Sequence, residues 1–147
     1  MLNRSNKIIS ISIIFVIILL SLFQFISYGK DHNNPTIISE PNWDSQQTRV
    51  LAKRACFDCH SNETIWPWYS NVAPISWLIY RDVAAGRRRL DFSDWKNIRL
   101  REPGEIASAI TEGEMPPLQY LLIHRTARLS TTEKTLLING LLKTLSQ

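Results

Sequence analysis

The sequence has no excess of one charge that would mark a nucleic-acid partner. Its 147 residues carry a formal charge of +4, which falls to +2 once Arg4 and Lys7 are set aside. That balance excludes the broad basic face a phosphate backbone requires. No segment alternates apolar and polar residues for long enough to argue for a sheet, and no internal repeat is evident. There are only two cysteines, neither placed to carry a lipid anchor, and the stretch SYGKDHNN that follows the N-terminal apolar run has no A-x-A-like cleavage site. No pair of acidic or basic residues stands out as an acid–base dyad.

What is present begins with residues 8–28, IISISIIFVIILLSLFQFISY, which carry no charge. At about 1.5 Å per residue they match a hydrocarbon core of about 30 Å. Arg4 and Lys7 precede them, so the positive-inside rule predicts a single-pass, uncleaved signal anchor with residues beyond Lys30 on the extracytoplasmic side. Residues 29–43, with Gly, Asn and two prolines but no helical or strand period, read as a linker lifting the domain off the membrane. Residues 44–147 then form one small domain, of a size at which a bound cofactor is a plausible source of added stability.

Within that domain the pattern is short helices separated by proline-rich turns. Asp44 is expected to cap a helix running through Val50, Leu51 and Ala55 into the cysteines. Pro74 marks a second start, with Ile75, Leu78, Ile79 and Val83 on one face and Gly86 as its stop. Pro103 opens a third, which buries Ile106, Ala109 and Ile110 and ends at Gly113. After a loop, EMPP, Ser130 and Glu133 spell a capping box ahead of Leu136, Leu137, Leu141 and Leu145. The predicted fold class is all-α.

The segment ACFDCH holds both cysteines, Cys56 and Cys59, with His60 directly behind them. This is the attachment pattern of c-type haem. Two thiols three positions apart at a helix end can reach both vinyl groups of one porphyrin, and the adjacent imidazole can reach the iron from the same side. Three other chemistries use part of the pattern. A redox dithiol expects a preceding strand and a mixed sheet, which the helical reading disfavours. A structural zinc ion would need His124 or His32 as fourth ligand and would have to accept the adjacent Cys59 and His60 in one tetrahedron. A disulfide suits the compartment but is tight across so short a loop.

Outside the motif, Met1, Met115, His32 and His124 are the candidates for the opposite face of a haem iron. Met1 and His32 lie in the tail and the linker. Met115 lies in GEMPP, where Gly113 and two prolines stiffen the loop around its thioether, so His60 and Met115 are the expected axial pair, with His124 as the alternative. Trp66, Trp68, Tyr69 and Trp77 read mainly as apolar walls, with an indole N–H or the Tyr69 hydroxyl able to meet a propionate. The run Arg87, Arg88 and Arg89 reads as a solvated helix end; an acidic docking partner or haem propionates are the sharper alternative.

The residues also resemble a known family, the bacterial haem-binding domain family of c-type cytochrome-like proteins. The likeness runs through CxxCHSNET at Cys56 to Thr64, WPWYS at Trp66 to Ser70, VAPISWL at Val72 to Leu78 and DVAAGR at Asp82 to Arg87. It continues through FSDW at Phe92 to Trp95, GEMPP at Gly113 to Pro117 and HRTARLS at His124 to Ser130, so it covers about residues 45–145. The resemblance implies a single-haem, mainly helical, cytochrome c-like module, often exported and tethered, with one haem c on Cys56, Cys59 and His60. The expected function is single-electron transfer with redox partner proteins beside the membrane. A haem-dependent peroxidase-like enzyme, with His124 or Glu114 handling protons, and a redox or gas sensor are the competing readings.

Overall fold

A computed structural model describes residues 3–98 and 102–146; Met1 lies outside them. Every regular element among the described residues is helical, and the one β-type contact is an isolated bridge between Ser39 and Asp94. The chain forms two compact units. One is made of residues up to 33 with 66–82, the other of residues 34–65 with 83 onward.

The first unit contains α1 (Arg4–Phe23), the apolar N-terminal helix. It is long and apolar enough to cross a membrane, with a mean hydropathy of 2.4 and none of its span buried. A 3-10 turn follows at Trp68–Asn71, and then the start of α4 (Ile75–Arg89). Ile75 and Leu78, expected on a buried stripe, are exposed, whereas Val83 further along the same helix is buried. Gly86 does not end α4, which runs three residues beyond it.

The second unit holds α2 (Gln46–Ala55), α3 (Phe57–His60), the end of α4, α5 (Gly104–Thr111), α6 (Leu118–Ile123) and α7 (Thr131–Leu145). The N-cap of α2 is Ser45, whose hydroxyl accepts the Thr48 N–H at 3.2 Å, in place of the expected Asp44. Asp44 instead accepts the Thr48 hydroxyl. Val50 points outward, so the buried face of α2 is Thr48, Leu51, Ala52 and Ala55. Pro103 stands as N-cap of α5, and Gly113, at φ 79°, follows its C-terminus. The Ser130–Glu133 capping box closes reciprocally on α7 as expected, which buries Leu137 and Leu141 and leaves Leu136 exposed.

The core gathers Leu51, Phe57, Phe92, Ile110, Leu137 and Leu141, with Trp43 and Trp95 along its edge. Phe57 and Phe92 stack at 5.3 Å, and Trp43 tilts onto Phe92 at 5.2 Å. Burial of each such ring contributes about 1.5–3 kcal/mol. Helices α2 and α7 meet where Gly140 faces Thr48, because any Cβ at 140 would overlap the Thr48 side chain. Residues 34–43 form no helix or strand, yet they are tied along this unit: the Ile38 and Ser39 amides donate to Ser93 O at 2.8 and 3.1 Å, and Asn62 Nδ2 donates to Thr36 O.

Candidate haem-binding site

The motif occupies the junction of α2 and α3. The Cys56 carbonyl accepts the amides of Cys59 and His60 at 3.1 and 2.9 Å, so one helical turn places the two cysteines three positions apart on one face. Both cysteines are unbridged and half-buried. Cys56 packs against the core, and burial, with the neighbouring Cys59, pushes its thiol up to about 12. A nucleophilic dithiol needs the opposite shift, toward the thiolate.

His60 is aimed from outside the motif. Its Nδ1 lies 3.0 Å from Leu90 O. A carbonyl can only accept, so Nδ1 carries the hydrogen. Burial lowers the His60 pKa, opposed by the backbone of Leu90 and Gly86 acting as hydrogen-bond acceptors, so the ring is neutral near pH 7 and Nε2 keeps its lone pair. A metal-binding imidazole is normally prepared in this way, with one nitrogen tied to a backbone oxygen and the other left to coordinate. The backbone is tied as well, since the Phe92 amide donates to His60 O at 2.8 Å.

Gly86 makes that alignment possible. A Cβ at this position would lie well inside contact distance of Cys59 O, so the α4 backbone can rest directly on the motif only because there is no side chain. Arg87 then fixes the exit from the motif. Its Nε donates to Ser61 O at 2.8 Å, and Nη2 donates to Thr64 Oγ1 and Asn34 Oδ1, each at 2.9 Å. Of the arginine run, Arg88 and Arg89 are the exposed members; Arg87 is half-buried and structural.

The matching family model is that of a haem-binding domain and spans residues 17–143. The chain belongs to the haem-binding domain family. Comparison with curated proteins and with solved structures finds no match.

The donor set of this haem-binding domain suits the cofactor. It offers two unbridged cysteines one helical turn apart and an imidazole with Nε2 unprotonated and Nδ1 anchored. Among the described residues no three His, Cys, Asp or Glu side chains gather as a cage for a metal ion. The histidines proposed as fourth zinc ligands have other neighbours: His32 Nε2 lies 3.1 Å from Ser70 O and its ring stacks on Trp66, while His124 stacks on Tyr120 at 4.1 Å. Met115 is exposed in the turn between α5 and α6, its amide donating to Ala109 O at 3.0 Å. Trp68 is exposed and Trp77 packs against Phe23.

Two site residues escape a sequence reading altogether. Asp58, inside C-x-x-C, accepts the Ile65 amide on Oδ1 at 3.1 Å and the Tyr120 hydroxyl on Oδ2 at 2.7 Å. Tyr120 lies on α6, the helix entered directly through Met115, Pro116 and Pro117. Burial, reinforced by Asp58, raises its phenol pKa far above the ordinary value, so it remains a donor.

Proposed function

We propose that this haem-binding protein is a c-type cytochrome-like electron carrier, tethered by α1 with its domain on the extracytoplasmic side. Cys56 and Cys59 would hold one haem covalently, and His60 and Met115 would be its axial ligands. The observation that carries the reading is the His60 ring, neutral and held through Nδ1 to Leu90 O, directly behind two cysteines that form no disulfide. When bound, the haem supplies one-electron iron redox chemistry. The chain's own contribution is positional. Leu90 O sets the tautomer and direction of the imidazole, Gly86 lets α4 support the motif, and the Tyr120–Asp58 bond ties α6, and with it the segment after Met115, to the same helical turn. If His60 and Met115 both hold the iron, the thioether would favour the ferrous state and would keep oxygen or peroxide from it, which favours electron transfer over a peroxidase-like or gas-sensing role.

The test is a pyridine haemochrome spectrum and an intact mass of the full chain, produced in cells that contain a haem-attachment system. A c-type band with a mass gain of one haem is expected, and both are expected to disappear in Cys56→Ala and Cys59→Ala. Haem released by denaturation would overturn covalent attachment while leaving haem binding intact. In Met115→Ala the iron is expected to become high-spin and to bind carbon monoxide; an unchanged low-spin spectrum would remove Met115 from the ligand set.

A further inference from the structure

The first unit places the end of α1 against a second apolar stretch of the chain. Residues 64–80 contain no Asp, Glu, Lys or Arg, and neither do residues 8–29. The two stretches are joined at several points. The Phe23 ring lies 5.2 Å from Trp77. The Gln24 side chain clamps the backbone of a single residue, donating from Nε2 to Ala73 O at 2.8 Å and accepting the Ala73 amide on Oε1 at 3.0 Å. Tyr28 meets Tyr80 edge-on at 5.3 Å. Gly29, at φ 74°, lets the chain pass so close to Ser76 that a Cβ would fall 2.7 Å from its carbonyl oxygen.

Around this junction large apolar side chains face outward. Phe25 is 85% exposed and Trp68 79%, and Ile26, Val72, Ile75 and Leu78 are exposed with them. Scattered surface hydrophobics need no explanation, but a charge-free group of them joined to the end of a membrane-length helix does. Tryptophan and tyrosine concentrate where hydrocarbon meets headgroups, because their rings are apolar and their N–H or O–H can remain hydrated. The stretch supplies Trp66, Trp68, Tyr69 and Tyr80, while the Trp77 ring, its N–H buried, joins the stretch to Phe23.

We propose that residues 66–78 are a membrane-interface element, immersed at the headgroup level of the phospholipid bilayer that α1 crosses, with Trp68 as its principal anchor. The occupant of the patch is lipid because the patch continues the apolar surface of α1 itself, through Phe25 and Ile26. The anchor is then not a free tether. Gln24 and Phe23 fix the last turn of α1 to the interfacial element, so the two enter the bilayer as one body. This inference rests on the reading that α1 is retained and spans the membrane.

Hydroxyl-radical footprinting of the full wild-type chain in phosphatidylcholine–phosphatidylglycerol vesicles tests both readings separately. The rate of modification at each residue is compared with that in a free peptide of the same local sequence. Phe15, in the middle of α1, reports whether the helix is embedded. The expected result is that Phe15, Phe25, Trp68 and Leu78 are all modified about tenfold or more slowly than in the peptides, as for groups removed from water. Protection of Phe15 with Trp68 modified at the peptide rate would overturn the interfacial element while leaving the anchor in place. Modification of Phe15 itself would remove the anchor, and the inference with it. Protection of Trp68 in native membranes but not in lipid-only vesicles would assign the patch to a protein partner and overturn the lipid assignment.

Discussion

The Tyr120 hydroxyl donates to Asp58 Oδ2 at 2.7 Å, joining α6 to the helical turn that contains both cysteines across 62 positions of sequence. Asp58 thus lies between the two thiols in the chain, while Tyr120 lies on the helix that Met115 and its two prolines introduce. The bond is half-buried and has a charged acceptor, which puts its net contribution to stability at about 1.5 kcal/mol.

Tyr120→Phe keeps the ring and its stacking on His124 but removes the donor. Urea unfolding is expected to show a loss of about 1.5 kcal/mol. In the holoprotein the same variant is expected to bind carbon monoxide more readily than wild type, because the turn carrying Met115 loses its tie to the motif. Stability lost without any gain in carbon monoxide binding would make the bond purely structural.

Gly86→Ala sets two effects against each other. In an exposed helix interior alanine stabilises by up to about 1 kcal/mol relative to glycine. Here the added methyl would meet the Cys59 carbonyl, a backbone atom that cannot move aside, and overpacking of this kind typically costs about 1–3 kcal/mol. Net destabilisation is therefore expected, with less haem retained per chain. Gly104→Ala is the internal comparison. Nothing lies within 4 Å of a Cβ there, so denaturant midpoints should move in opposite directions for the two variants.

These pairs also show where the sequence was legible. Cys56, Cys59 and His60 lie within five positions of one another, so a single helical turn brings them together and local spacing alone makes their proximity legible. The Ser130–Glu133 capping box and the Pro103 helix start are likewise short-range. Gly86 was read as a helix stop because glycine usually marks one, but its role depends on a backbone 27 residues away in the chain, which no local pattern encodes. Asp58 and Tyr120 look like ordinary surface residues until α6 is in place, and α6 itself is too short for periodicity to reveal. Ile75 and Leu78 followed the spacing of a buried stripe, yet the periodicity of a helix does not say what its apolar face meets.

Glu133 gives a pH dependence whose sign follows from its pKa. The Ser130 amide, then the Arg54 guanidinium and the Ser130 hydroxyl, hold its carboxyl down to about 2, below the ordinary 4.5. A carboxyl whose folded-state pKa is depressed stabilises the fold fully above its unfolded value, and that stability is lost as pH falls through the window from about 4.5 toward 2. Glu133→Gln retains a capping acceptor but not the charge. Urea midpoints measured across this window should fall less steeply for Glu133→Gln than for wild type and converge with it at the acid end. Parallel curves would assign the acid sensitivity elsewhere.

Arg87 separates a structural cation from its two solvated neighbours. Its guanidinium spans Ser61 O, Thr64 Oγ1 and Asn34 Oδ1, three acceptors that a planar fork can serve and a single ammonium cannot. Burial lowers its pKa, opposed by Asp91 and Cys59, although an arginine remains charged at any ordinary pH. Arg87→Lys should therefore lose most of what Arg87→Ala loses, about 2–3 kcal/mol, because Ser61 and Thr64 are buried and their oxygens lose a donor in both, whereas water can meet the exposed Asn34. Arg88→Ala and Arg89→Ala, at exposed positions, should stay within about 0.5 kcal/mol of wild type. Chemical denaturation of the four variants checks the pattern: if Arg87→Lys were as stable as wild type, charge alone would be sufficient at this position, and the fork geometry would not be what holds the exit of the motif.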